Sequence, residues 1–427
     1  MKLLLKQIYN ERHSNIFLWI ELLVVFVVFW YVVDLLYVTA RVYFQPMGFD
    51  IENTYTLRLK TLTNKAVEYN PDLTVEDDMI ALKEIVDRLS RRPGVESVCI
   101  SQNCVPYNDG SNGATFYFPQ NDSVSIHSLQ RWSTPEYYKV FGFRNIDGTG
   151  SESLVKALSG KTIILPVDIA EQTPKLPFKR MDLLGKEVSL SANGYQKDTR
   201  LRIAALTEPV RYDHFTPAGR TWGGTYIGTF LSEEHYKAIG NVSYLEVSLR
   251  VRKDESEGFI DRLMDDADRL YQVGNVYILS VLPMSDVRMA CEVDNENELR
   301  TQLCILFFLM LNIFLGVIGT FWFRTQRRRS EIALRMALGA NRKIVFGNLL
   351  TEGILLLSLA ALPATLIAFN AGCTDLVDDS RLVFTASRFL TTILLTYALM
   401  AGMIVAGILY PALETLRILP AEALRDE

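Results

Sequence analysis

Apolar residues in this chain are gathered into four long runs, at 16–38, 303–323, 344–369 and 389–410. A helix needs about 20 apolar residues to cross the hydrocarbon core of a bilayer, so each run predicts a membrane-spanning helix. The second and fourth runs carry no charge. The first holds Glu21 and Asp34, and the third holds only Glu352. The first run exceeds the ~7–15 residues of a signal-peptide core, and no small-x-small cleavage site follows it. It therefore predicts an uncleaved anchor.

Lys2, Lys6 and Arg12 precede the first run, which predicts a cytoplasmic N-terminus. Alternation of four spans then puts segment 324–343 and the C-terminal tail on the same side. The charges agree. Segment 324–343 carries Arg324, Arg327, Arg328, Arg329, Arg335, Arg342 and Lys343. The opposite loop, 371–388, has Arg381 and Arg388 against Asp375, Asp378 and Asp379. Residues 41–300 are then a single domain outside the cytoplasm, inserted between the first two spans.

Within 41–300 the pattern changes to short periods. Residues 54–60 read as a strand. Thr74 is a candidate N-cap for a helix carrying Met79, Leu82, Val86 and Leu89. Pro93-Gly94 breaks that helix, and 95–101 reads as a strand. A similar unit closes the domain. Leu245, Val247, Leu249 and Val251 alternate, Ser256 is a candidate cap for a helix with Ile260, Leu263, Ala267 and Leu270, Gly274 breaks it, and 276–281 is a strand. Two strand–helix–strand units around a long insertion predict one split α/β subdomain. The insertion, about 103–241, has strand candidates at 162–166, 187–190, 200–206 and 225–230 and predicts a mostly β subdomain. The expected fold class is an α-helical membrane domain of four transmembrane helices plus a mixed α/β domain. The expected division is 1–40 (N-terminus and first span), 41–300 (outer domain) and 301–427 (the other three spans).

Composition agrees with that mixture. The 427 residues exceed one ordinary core, and 49% are hydrophobic while 22% are charged. The net charge of -5 and the lack of a long basic run argue against nucleic acid as a partner. The cysteines are Cys99, Cys104, Cys291, Cys304 and Cys373. Cys99 and Cys104 have two readings, a disulfide in an oxidising compartment or unpaired small apolar residues.

Catalytic chemistry is not apparent. Gly160-Lys161-Thr162 looks like the end of a phosphate loop, but the glycine required five positions earlier is Val155. His13, His127, His214 and His235 are scattered, with no zinc-binding pair and no Gly-x-Ser-x-Gly elbow. Asp265, Asp266 and Asp268 read as a solvated helix face. The expectation is a non-catalytic chain with no cofactor and no metal.

The segment between the second and third runs carries more information. Wound as a helix, 328–340 places Arg328, Glu331 and Arg335 on one narrow stripe. Ile332, Ala333, Met336, Ala337 and Ala340 cover the other side, with Leu334 and Leu338 at its edge and Gly339 weakening the end. One reading is a helix lying on the bilayer surface. The other is a docking helix, since its small residues suit close packing against protein.

Arg329-Ser330-Glu331-Ile332-Ala333-Leu334-Arg335-Met336-Ala337-Leu338-Gly339-Ala340 closely resembles the signature of the FtsX-like permease domain, shared by MacB-type ABC transporter permeases. Glu352 before a Leu- and Ala-rich run, and the ending Pro420-Ala421-Glu422-Ala423-Leu424-Arg425, are similar to the same family. Pro93 to Val98, Thr134 to Phe143, Leu184 to Val188 and Arg200 to Leu206 resemble the MacB-type periplasmic core.

The resemblance implies a permease with four spans in a bacterial inner membrane. Its periplasmic domain would have a porter-like α/β part and a β-rich part. It implies a second permease subunit, as homo- or heterodimer, and an ATPase partner docked on a coupling helix. The coupling residues would be Arg328, Glu331, Ile332, Arg335, Met336, Ala337, Leu338, Gly339 and Ala340. It further implies mechanotransmission, in which ATP hydrolysis moves the periplasmic domain to expel a substrate such as a peptide or drug, with a periplasmic adaptor or outer-membrane protein as a further partner. MacB carries its own ATPase domain, whereas here only about fifteen residues precede the first run, so a separate ATPase subunit is expected. Competing outputs are lipoprotein release, cell-envelope signalling, and an ATPase-independent membrane sensor.

Other residues keep two readings each. Glu352, and Glu21 at similar depth, could couple or pair helices or could snorkel to the interface. Asp34 reads as the outer end of its span. Gly316 with Thr320, and Gly402 with Ala406, are either close-packing pairs or background small residues.

Overall fold

The computed structural model describes residues 12–108, 112–119, 121–169, 180–192, 195–218, 225–327, 342–374 and 376–417. The chain divides into two compact units. One is Val42–Asn295. The other combines Met1–Arg41 with Glu296–Glu427. In chain order the elements begin with α1 (Arg12–Tyr43), β1 (Thr54–Thr61), α2 (Val75–Ser90), β2 (Val95–Gln102), β3 (Gly113–Phe118) and β4 (Asn121–Ser133). There follow α3 (Tyr137–Val140), α4 (Ser151–Ala157), β5 (Thr162–Pro166), β6 (Glu187–Ala192), β7 (Tyr195–Thr207), β8 (Thr225–Phe230) and α5 (Glu233–Ile239). The last are β9 (Glu246–Val251), α6 (Phe259–Asp265), α7 (Ala267–Leu270), β10 (Val276–Pro283), α8 (Met284–Arg327), α9 (Arg342–Gly372) and α10 (Ala386–Arg417).

In the 42–295 unit, β10, β1, β9 and β2 lie side by side, every neighbouring pair antiparallel. With α2 after β1 and α6–α7 after β9, this is a ferredoxin-like βαββαβ order, opened between β2 and β9. Alternation sets its faces. Leu57 and Leu59 of β1 point into a core with Leu82, Ile85 and Leu89 of α2, and Leu249, Leu263 and Ile278. Arg58 and Lys60 are exposed. Thr74 caps α2 as expected, in a capping box with Asp77. Gly94 follows at φ +84°, where an added Cβ would lie 2.7 Å from the Glu255 side chain.

The second helix starts differently from its sequence expectation. The residue before α6 is Gly258 at φ +63°, and the Ser256 hydroxyl instead donates to the Lys253 carbonyl at 2.9 Å. A left-handed turn needs glycine at that point, and the serine falls before the cap position, ahead of Glu257 and Gly258. Asp266 also departs from a purely solvated role: it accepts from Arg92 and from Arg269, each at 2.9 Å.

The inserted strands pair in the cycle β4–β3–β6–β7–β5–β8 and back to β4, with the β4–β8 and β5–β7 pairs parallel. The ring closes a barrel whose core includes Ile126, Ile163, Leu165, Val188, Ile203 and Ile227. Closure removes the exposed edges a small sheet would otherwise have. The far end of β4 also pairs with β2, so this strand belongs to barrel and sheet alike. Tyr138 packs where the two meet. An added Cβ at Gly228 would sit 1.8 Å from its hydroxyl, so a glycine is required there. Cys99 and Cys104 are free and buried nearby, and the Cys104 thiol donates to the Trp132 carbonyl at 3.0 Å.

The other unit is helical. Among the described residues, four helices, Ile16–Tyr43, Met284–Gly316, Leu350–Gly372 and Ala386–Leu409, are long and apolar enough to cross a membrane. α1, α9 and α10 share a core of Phe26, Phe29, Leu356, Ala360, Ala364 and Ile404. The alanines of α9 let the helices approach closely. Gly316 makes room for Glu21, whose Oε1 would lie 3.0 Å from an added Cβ. Gly402 and Ala406 are exposed in this chain. Asp34 lies inside α1, which runs on to Tyr43, and it is paired: it is 2% exposed and takes a two-pronged bond from Arg388, at 3.0 Å from Nε and 2.5 Å from Nη2. Arg388 also donates to the carbonyls of Asp378 and Leu382.

Candidate functional site

A buried polar cluster forms where three segments of the 42–295 unit converge. These are residues 43–48 after α1, loop 208–218 after β7, and the first turns of α8. The loop is shaped by Asp213. Its Oδ1 accepts from the amides of Phe215 and Thr216, both at 2.7 Å, and its Oδ2 from the Thr216 hydroxyl at 3.1 Å. Such short-range carboxylate bonds fold a chain back on itself.

Arg211 fastens that loop to the chain leaving α1. Its guanidinium donates to the carbonyls of Thr216 (3.0 Å), Gln45 (2.7 Å) and His214 (2.7 Å), and its own amide donates to the Met47 carbonyl at 3.0 Å. Gly48 allows the approach: at φ +82°, an added Cβ would stand 2.2 Å from the Pro209 oxygen. Burial depresses the Arg211 pKa, opposed by Asp213 and Glu292, and an arginine keeps its proton regardless.

His214 and Arg288 fasten the same loop to α8. Glu292 is fully buried. Its Oε1 accepts from the His214 amide at 2.8 Å and lies 2.6 Å from His214 Nδ1. Its Oε2 accepts from Arg288 Nε at 2.8 Å. Arg288 reaches on to the Tyr43 hydroxyl at 3.1 Å. The Tyr43 ring lies against His214 and Phe215, and the Tyr107 ring is stacked with His214 at 6.2 Å. Tyr107 has its pKa pushed up, first by burial and then by the charge of Glu292.

This clamp ties the end of α1 and the start of α8 to one loop, and the loop continues directly from barrel strand β7. Displacement of either helix end must strain charge-assisted bonds that hold the loop. Beside the clamp, Phe49, Tyr107, Arg131, Tyr138, Arg211 and Tyr226 line a cavity of about 40 Å³. That is room for about one water molecule, so the space is a packing void rather than a substrate pocket.

No protein-family model matches the chain, and no curated protein matches it. Several solved structures align with part of it, among them two bacterial ones. One is a domain of a permease protein from Porphyromonas gingivalis, with 15% identity and a TM-score of 0.31, covering 56% of this chain and 92% of that one. The other is the extracellular domain of YknZ, a noncanonic ABC-type transporter from Gram-positive bacteria, with 15% identity and a TM-score of 0.29, covering 53% of this chain and 100% of that one.

The residues singled out in the sequence are not those of the clamp. Arg328, Glu331, Ile332, Arg335, Met336, Ala337, Leu338, Gly339 and Ala340 lie outside the described residues. Glu352 lies in α9 and is 6% exposed, enclosed in the helical unit. Among the described residues no group of His, Cys, Asp and Glu is arranged to hold a metal ion. The clamp residues escaped sequence reading because their partners are far apart along the chain. The available signal was Arg288 with Glu292, four apart and just before an apolar run, which marks the polar stretch as helical.

Proposed function

We propose that this chain is the membrane subunit of an ABC-type permease of the MacB-like and FtsX-like kind. In this reading ATP hydrolysis on a separate ATPase subunit moves the 42–295 domain, which lies in the periplasm of a bacterial cell and is carried by an inner-membrane helical unit. Two permease subunits pair. The motion expels a periplasmic substrate such as a peptide or drug toward an adaptor or outer-membrane partner. Arg328 to Ala340 is the docking segment for the ATPase.

The observation that supports the reading best is the clamp. Both chain segments that connect the domain to apolar helices, around Tyr43 and around Arg288, are bonded to one loop. A relative shift of those segments is therefore felt at β7 and in the barrel. A domain attached through flexible linkers would not respond in this way.

The test co-expresses the chain with a stand-alone ABC ATPase encoded beside its gene. Arg335→Glu or Met336→Asp is expected to abolish co-purification while leaving the thermal unfolding of the permease unchanged. Co-purification at wild-type yield would overturn the docking assignment. Arg211→Met is expected to keep ATPase binding yet remove ATP-dependent change in the 42–295 domain, read as hydrogen exchange at 208–218.

A further inference from the structure

Within the helical unit, α8 has two different sides. Leu306, Met310 and Phe314 pack against the core shared by α1, α9 and α10. The side turned away carries Ile305, Phe308, Asn312, Leu315 and Gly319, in alternating steps of three and four. Ile305 (52%), Phe308 (63%) and Leu315 (57%) are exposed, and so is Asn312. A Cβ added at Gly319 would meet nothing within 4 Å. Steps of three and four keep one narrow seam in line along a helix. Two helices wind round each other with interlocked side chains when both carry such a seam.

Asn312 does not suit a surface that faces lipid. At about 1.5 Å per residue it stands about 14 Å from one end of the apolar run 303–323 and about 17 Å from the other, near the middle of the hydrocarbon. Its Nδ2 donates to the Phe308 carbonyl of its own helix at 2.7 Å. Its side-chain oxygen accepts from no group among the described residues, and the hydrocarbon of a bilayer offers it no donor. The same spacing carried back along the chain reaches Thr301 and then Glu298 and Asp294. Two such seams would set like charges together at those carboxylates, so the seam ends at Thr301.

We propose that this seam pairs with the same seam of a second copy of the chain. Copies inserted in one membrane with the same topology run their α8 helices parallel. A two-fold axis along the membrane normal then sets each seam residue against its own counterpart. Asparagine suits that position, because its amide carries donors and an acceptor, so two copies satisfy each other across the axis. A single asparagine in an otherwise apolar seam also fixes its register and its partner number. Gly319, two turns further on, lets the backbones approach closely. The proposal rests on the reading that two permease subunits pair, and narrows it to two copies of this chain joined through α8.

The test uses the full chain in bacterial membranes, with Cys304→Ser and Cys373→Ser removing the exposed cysteines. One new cysteine is placed on the seam, as Phe308→Cys or Leu315→Cys, or off it, as Phe307→Cys, where the native side chain is 70% exposed. The membranes are oxidised with copper phenanthroline. Either seam cysteine is expected to give a covalent dimer, and Phe307→Cys about tenfold less. Asn312→Val is expected to lower cross-linking through Leu315→Cys about fivefold, and Asn312→Gln to restore most of it. Leu303→Ala, on the other side of the helix, should leave it unchanged. Light scattering of the unoxidised chain in mild detergent reports pairing independently. A dimer that cross-links equally from Phe307→Cys, or whose yield ignores Asn312→Val, would overturn the seam and leave the pairing of subunits standing. A monomer with no cross-link at any position would overturn both the seam and the pairing of like subunits.

Discussion

Two buried arginines, one in each unit, are satisfied in different ways. Arg388 of the helical unit faces a carboxylate directly, with both prongs of its guanidinium on Asp34. Arg211 of the 42–295 unit faces three backbone carbonyls, and Asp213 and Glu292 act on it only through their charge. The difference follows from the surroundings. Among apolar helices no water can share a charge, so the pair must be neutral in itself. In the outer domain an arginine can be spent on holding segments together while carboxylates compensate from farther away. Arg388 keeps its surroundings neutral, whereas Arg211 is a fastener.

Breaking each arrangement should expose that contrast. Asp34→Ala strands a buried cation and is expected to cost about 3–5 kcal/mol of stability, the largest effect. Thermal unfolding in detergent measures it. A shift no larger than that of an exposed substitution would show that the two carbonyls alone suffice for Arg388. Arg211→Lys keeps the charge but loses the fork that reaches three carbonyls. It is expected to cost about 2–3 kcal/mol. Its signature is regional: hydrogen exchange should rise at 208–218 and at 45–47 and stay unchanged in α9 and α10. Uniform loss of protection would make Arg211 an ordinary stabilising residue rather than a fastener.

A third substitution concerns the place where barrel and sheet share a core. Gly228→Ala is expected to cost about 1–3 kcal/mol, because its Cβ would collide with the Tyr138 hydroxyl. Adding Tyr138→Phe removes the colliding atom and should restore most of the loss. If the pair remains as unstable as the single variant, backbone freedom at Gly228 is the true requirement.

The apolar helices were legible because hydropathy accumulates along a run without reference to any partner. Strands β1, β2, β5, β6, β7, β8, β9 and β10 were legible as short apolar runs between turn residues, although β5 is buried along nearly its whole length rather than on one face. β4 was not. Ile126 and Leu129 are both buried yet fall on opposite faces, because this strand serves barrel and sheet at once, so its period of two is lost. The polar start of α8, from Met284 to the apolar run, was also not foreseen as helix. Neither Asp34–Arg388 nor the clamp could be read, since pairing across hundreds of residues leaves no local pattern. Residue chemistry suggested instead that Asp34 ended a span and that His214 was one of four scattered histidines.

The smallest expected effect tests the loop that supports Arg388. Asp378 lends its carbonyl to Arg388, and its carboxylate accepts from the Ser380 hydroxyl at 2.7 Å and pairs with Arg381. Burial raises the Asp378 pKa, but the bonds from Ser380 and Arg381 outweigh it and hold the group down at about 2 against an ordinary 3.8. A carboxyl depressed by folding adds stability that is complete above its unfolded pKa and lost as pH falls through the folded one. The contribution should thus be whole above pH 3.8 and fade toward about 2. Asp378→Asn should remove that part of the acid dependence, seen as exchange in 376–388 that no longer rises on acidification. The Arg211 side shares none of these groups, so exchange at 208–218 should follow the same acid profile in both proteins. If the variant alters both regions alike, the two arginines are not independent and their contrast is one of degree.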